Sequence, residues 1–182
     1  QQIGSNAGLR TQYGVILPPG ARVAAYVRST GVQSGDDAFL ATNLVQTLAA
    51  GLARVRPGFG DFVVCLPGHV ENVADATTFS AALVAGTKVI GIGRGANMPT
   101  FTWTTTAAQW AIAANDVQIT GIRISPIGIN AVVLPINITG TDVGIIGAYT
   151  DAAGCGCGDF SGHSVARSCP CGVAAWEFPA LA

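Results

Sequence analysis

Charge is what this chain has least of. Asp, Glu, Lys and Arg make up 10% of its 182 residues, against about 25% in an ordinary globular domain. The 9 basic and 10 acidic residues nearly cancel, so no net field draws it to nucleic acid or to an anionic lipid surface. No apolar run reaches the roughly 18 residues of a membrane span. Nucleic acid and membrane are therefore set aside as partners. There is no signal-peptide pattern and no methionine at position 1, so residues upstream are expected to have been processed away or left out.

Apolar residues, by contrast, reach 49%, and glycine is abundant at 24. A surface so poor in charge tends to be covered by copies of itself or by partners. Three regions are expected. Residues 1–22 lack periodicity and are rich in Gly, Asn, Gln and Pro, which suits an extended arm. Residues 23–150 form the body, and residues 151–182 a cysteine-rich C-terminal segment. Within the body, "VAAYVRST" (23–30) alternates as a strand does. Leu40, Leu44, Leu48 and Leu52, with Val45 and Val55, then fall on one helical face. Asp36 and Asp37 suit the start of that helix, Arg54 and Arg56 its last turn, and Pro57-Gly58 its end. One amphipathic helix over 38–55 is predicted.

Beyond residue 60 short β-rich runs repeat. "DFVVCLPG", "TKVIGIGRG", "NDVQITGIRI" and "TDVGIIGAYT" align Val63, Val89, Val117 and Val143 at steps of 26, 28 and 26 residues. Asp-Val-x-Ile-x-Gly recurs at Asp116–Gly121 and Asp142–Gly147, and further β-rich runs lie at 100–106, 109–114 and 132–139. A repeat of that length without a helix is what one coil of a parallel β-helix needs. The expected class is all-β: a short right-handed parallel β-helix, its open first coil capped by the one N-terminal helix, with an extended arm. A β-sandwich is the runner-up, and the regular spacing argues against it.

Candidate chemistry is sparse, and each candidate has a plainer reading. "GIGRG" (91–95) has phosphate-loop glycines but no helix after it, so turns between coils explain it better. His69 and Glu71, two apart, would share a strand face and could act as an acid–base pair. The alternative is a turn at Pro67-Gly68 followed by an exposed polar strand. Asp116 and Asp142 would stack about 5 Å apart on adjacent coils, near a retaining glycosidase's carboxylate spacing. Asp is also a common turn residue. Between Thr87 and Thr150 the charged residues are Lys88, Arg94, Asp116, Arg123 and Asp142, too few for a calcium-dependent lyase. "NIT" (137–139) is a glycosylation sequon by pattern. No catalytic residue, cofactor or metal ligand is assigned, and the protein is expected not to be an enzyme.

Four of the five cysteines sit in "AGCGCGDFSGHSVARSCPCG" (153–172). An antiparallel hairpin turning near His163 would put Cys155 opposite Cys171 and Cys157 opposite Cys169. Two disulfides there would each contribute ~2–3 kcal/mol to a tail with few apolar residues. Zinc on the four thiolates is the serious competitor, and free thiols are the third possibility. Cys-x-Cys arms are less usual for zinc than Cys-x-x-Cys, which ranks the disulfides first. His163 reads as a turn residue, and Cys65 as a buried free thiol.

The most specific residues carry a resemblance. Gly35–Asp37 gives Gly-Asp-Asp before a helix, and Thr47–Leu52 gives Thr-Leu-x-Ala-Gly-Leu. Gly60–Asn72 gives Gly-Asp-x-Val-x-x-Leu-Pro-Gly-His-x-Glu-Asn. Leu-Val-Ala-Gly-Thr follows at 83–87, Gly-x-Gly at 91–93 and Pro-Thr-Phe-Thr-Trp at 99–103. This pattern, over about residues 26–125, resembles tailed-bacteriophage virion structural proteins of the head decoration or cement type. The cysteine-rich tail is outside it. The resemblance implies a β-helical body and a non-enzymatic decoration protein on the capsid exterior, assembled in the host cytoplasm. Its implied partners are the major capsid protein, gripped by the arm, and further copies of itself in a homotrimer. The alternative is a β-helical tailspike or fibre module that binds or cleaves surface polysaccharide. Intact mass before and after reduction, with metal analysis, separates the readings of the tail. One zinc per chain with no mass change on reduction contradicts the disulfides.

Overall fold

A computed structural model describes residues 17, 19–126, 136–146 and 149–150. Most of the expected arm, and all of 151–182 with Cys155, Cys157, Cys169, Cys171 and His163, lie outside the described residues. The elements run β1 (Val23–Val27), α1 (Ala38–Asn43), β2 (Leu44–Val45), α2 (Leu48–Leu52), β3 (Phe62–Cys65), β4 (Val70–Val73) and α3 (Thr77–Ser80). They continue as β5 (Lys88–Gly91), a 3-10 turn (Gly95–Asn97), β6 (Thr100–Trp103), β7 (Trp110–Ile112), β8 (Gln118–Thr120) and β9 (Arg123–Pro126). β10 (Ile136–Ile138), β11 (Gly144–Ile146) and β12 (Tyr149–Thr150) complete the described set.

Three sheets result. The largest has the order β11-β8-β5-β3-β1-β2, the second β12-β9-β6-β4, and the third β10-β7. Every pairing is parallel. The expected all-β class, a right-handed β-helix under one cap helix, is overturned. Among the described residues the chain is mixed α/β, with three α-helices and a 3-10 turn set among three parallel sheets. The β-rich repeats dominate the sequence pattern, while helices of four to six residues are too short to show a period.

The single helix expected over 38–55 is also two. Asp37 caps α1 as expected, accepting the Leu40 N–H at 2.7 Å. Leu44 then turns extended (φ −81°, ψ 139°) and β2 pairs with β1, Tyr26 opposite Leu44 and Val27 opposite Val45. Thr47 caps α2 by accepting the Ala50 N–H at 3.2 Å. The four leucines that suggest one face serve two. Leu40 and Leu44 pack with Tyr26, Val64 and Leu66, while Leu48 and Leu52 join the main core with Val27 and Val63. Alternate residues of β1 and β3 point to opposite faces, so α1 and α2 cover the two sides of one sheet.

The repeat is real but its spacing shifts once. Val63 stands opposite Val89, as expected. Val89 then stands opposite Ile119 rather than Val117, and Ile119 opposite Ile145. The column therefore steps by 26, 30 and 26 residues. Val117 still faces the core, fully buried, because a slip of two residues preserves the in–out alternation. Periodicity cannot distinguish the two registers. Each fully buried Val or Ile in this column contributes roughly 1.5–3 kcal/mol.

The other sheets bring the aromatic half of the core. Trp110 stacks on Phe79 at 4.8 Å between ring centres and meets Phe101 edge-on at 4.9 Å, with Trp103 at 5.4 Å. Two close approaches fix the stack. Gly51 of α2 lies on β1 and β3, where an added Cβ would come 2.9 Å from a Val63 methyl and 3.1 Å from a Val27 methyl. Gly91 lies against the next layer, where a Cβ would come 1.9 Å from the Gly121 carbonyl oxygen. Backbone cannot yield there as a side-chain tip can. Gly91→Ala should therefore lower unfolding free energy by about 3 kcal/mol, as read from urea melts. Gly144→Ala, with open space around it, should change it little. Equal stability of the two variants would contradict the layer spacing.

Candidate functional site

The residues that sequence analysis singles out land in separate places. His69 and Glu71 do meet. The turn at Pro67-Gly68, with Gly68 at φ +74°, is fastened by the Gly68 N–H to the Asn97 carbonyl at 2.8 Å. It delivers His69, buried, to the start of β4, where its Nε2 lies 3.1 Å from Glu71 Oε2. A carboxylate only accepts, so Nε2 carries the proton that is donated. The ring meets Phe101 edge-on at 5.3 Å, and Nδ1 has no hydrogen-bond partner among the described residues.

The same Glu71 oxygen accepts the Leu48 N–H at 2.7 Å. That donor is one of the unsatisfied groups at the start of α2, and Glu71 reaches it from a strand 23 residues away. The pair thus ties β4 to α2. A small hollow beside it, lined by Leu48, Ala49, Glu71, Phe79, Phe101 and Trp110, holds about 20 Å³, room for one water-sized group. The plainer reading, an exposed polar strand, fits Val70 and Asn72 but not His69, which faces inward. The Leu48 N–H leaves no trace in the side-chain sequence, so this third member could not be found there.

Asp116 and Asp142 are turn residues on adjacent layers. Both adopt left-handed backbone, φ 52° and 55°, a conformation that Asp tolerates better than most. The Asp116 N–H donates to the Thr141 carbonyl at 2.9 Å, which locks one turn to the next. The Asp116 carboxylate is engaged by Lys88 Nζ at 2.7 Å, so the two carboxylates are not an equivalent pair. In "GIGRG", Gly91 makes the close approach described above. Gly95 opens a three-residue 3-10 turn, and its carbonyl accepts from Arg123 Nη2 at 3.1 Å. Asn137 of the sequon lies within β10, opposite Ala111. Cys65 is buried on β3 with a free thiol. Burial raises its pKa, and the Glu71 charge adds to the effect, so the reactive thiolate is disfavoured.

The strongest electrostatic feature is one that sequence analysis passes over as the start of a strand. Asp61 is fully buried and collects donors from two arginines. Arg56 gives Nη2 at 2.6 Å, Nε at 2.8 Å and its backbone N–H at 3.2 Å. Arg22 gives its backbone N–H at 3.2 Å and Nε at 3.4 Å. Arg56 Nη2 also reaches the Gly20 carbonyl at 3.0 Å, and its guanidinium covers the Phe59 ring at 4.4 Å. Arg56, expected only to suit a helix end, thus pins the chain at Gly20–Arg22 to the body. Sequence separations of 36 and 39 residues put this clamp out of reach of local pattern.

No protein-family model, curated protein or solved structure matches the chain.

Burial alone would raise the Asp61 pKa, but the Arg56 side chain and the Arg56 and Arg22 backbone N–H groups outweigh it and bring the value to about 2. The folded value lies below the ordinary 3.8, so the fold favours the ionised form. The resulting stability, about 2 kcal/mol, is complete above pH 4 or so and is lost as pH falls towards 2. Asp61→Asn should remove this acid-side slope from urea melts run across pH 2–5 and lower stability at neutral pH by a similar amount. An unchanged pH profile in the variant would contradict the clamp.

Proposed function

We propose that the protein is a non-enzymatic decoration (cement) protein of a tailed-bacteriophage capsid. In this reading it sits on the capsid exterior as a homotrimer and stabilises the lattice of the major capsid protein. The observation that carries the reading is the surface. Val32, Phe39, Phe59, Val70 and Ile146 are each more than half exposed, on a body that has few charges to keep it apart from others. Such side chains are stable in water when a partner covers them.

Two further features support it. The motifs at Gly35–Asp37, Thr47–Leu52, Gly60–Asn72 and 83–103 resemble phage head decoration proteins. The Asp61 clamp also suits an arm that bears load, because it fastens the chain at Gly20–Arg22 to two separate segments of the body. The one hollow beside the His–Glu pair, at about 20 Å³, is far below the ~300 Å³ at which small-molecule sites begin. That favours a binding protein over a tailspike that processes polysaccharide.

Removing residues 1–20 should abolish attachment to capsids while the body keeps its circular dichroism and melting temperature. Intact protein should saturate particles at a copy number that follows the count of capsid subunits, not the far smaller count of tail fibres. Full occupancy by the truncated protein would remove the arm from this account. Absence of the protein from purified heads would remove the decoration role itself.

A further inference from the structure

The hollow beside Glu71 has a chemistry that the tie between β4 and α2 does not use. Oε2 is the oxygen taken by the Leu48 N–H and by His69 Nε2. Oε1 has no partner among the described residues, and none of their lysines or arginines lies within ion-pair distance of this carboxylate. The side chain is 17% exposed, so a mostly buried negative charge lacks a counter-cation. The rest of the wall is Leu48, Ala49, Phe79, Phe101 and Trp110. The three aromatic rings lie within 5 Å of one another in sequence around Trp110, at 4.8 and 4.9 Å between centres. A group in the hollow is therefore within the roughly 6 Å at which a cation is drawn to a ring.

The geometry points to a site for a primary ammonium group supplied by another molecule. A carboxylate oxygen accepts one of its N–H bonds and balances its charge, and the aromatic wall meets the rest. Size selects the head group. At about 20 Å³ the hollow admits something the size of water, such as –NH3+, and excludes a quaternary ammonium. The chain cannot supply the ligand itself. Its single lysine, Lys88, is engaged by Asp116 at 2.7 Å. The five-residue α2 does not oppose a cation, because its nearest free N–H, that of Leu48, is consumed by Oε2. The inference is independent of the capsid reading, since it rests on the hollow alone.

Two probes distinguish the sources of such a group: methylammonium for a free amine, and Nα-acetyl-lysine amide for a lysine side chain. Binding is followed on the full chain through the ring proton signals of Phe101 and Trp110 in NMR titrations. Tetramethylammonium chloride at matched ionic strength and methanol serve as size and charge controls. Saturable shifts are expected with methylammonium and with neither control, and Glu71→Gln, which keeps an acceptor for Leu48, should weaken them by about tenfold or more. Equal binding of the lysine amide assigns a lysine side chain as the source; binding of methylammonium alone assigns a free amine. No saturable shift with either amine, shifts matched by tetramethylammonium, or an unweakened Glu71→Gln variant would overturn the site. Should Glu71→Gln fail to fold, the size and charge selectivity of the wild-type chain still decides.

Discussion

Every strand in the described chain is short and pairs in parallel, and the rest of the structure depends on that constraint. Parallel neighbours cannot be joined by a tight turn. The chain must travel through 26 to 30 residues before it returns beside itself, as the partners Val63, Val89, Ile119 and Ile145 show. On the way it deals strands to the other two sheets, β6 and β7 after β5, then β9 and β10 after β8. No layer holds enough apolar surface to stand alone. Stability comes from the column of inward Val and Ile residues and from the aromatic group around Trp110. The cost is a layer spacing so tight that Gly91 and Gly121 must both lack side chains where they meet.

Such a stack has an exposed first edge, and the N-terminal third of the chain is spent closing it. β2 supplies backbone partners for β1, α1 covers one face of the sheet and α2 the other. Each piece is too short to be stable by itself, so each is fastened from elsewhere. Glu71 takes the first N–H of α2, and Asp61 gathers Arg22 and Arg56 where the chain enters. Both fastenings come from acidic side chains at the ends of strands in the adjoining layers. In a chain with so few charges, these are spent inside the fold rather than on its surface. That leaves the exterior apolar, in keeping with a protein that works while covered by others.

How much of this was legible in the sequence varies by element. The repeat was visible because Asp-Val-x-Ile-x-Gly marks equivalent turns, and Asp116 and Asp142 do share one left-handed conformation. Its register was not, since Val117 and Ile119 are two apart and both buried. The leucine spacing over 40–52 looked like one helix because β2 inserts only two extended residues, Leu44 and Val45. That break, with α3 and the 3-10 turn, is why an all-β expectation gave way to a mixed α/β fold. His69 and Glu71 were correctly placed together, but the hydrogen bond that explains them goes to a backbone N–H. Asp61 was hidden for a related reason, because its partners are distant in sequence.

The central claim is the parallel register that brings Val63, Val89 and Ile119 into one buried column. Interstrand nuclear Overhauser effects on uniformly labelled protein test it most directly. The account predicts backbone contacts from Val89 to Val63 on one side and to Ile119 on the other, in the pattern of parallel strands. Contacts from Val89 to Val117 as its direct partner, or an antiparallel pattern between these strands, would contradict it.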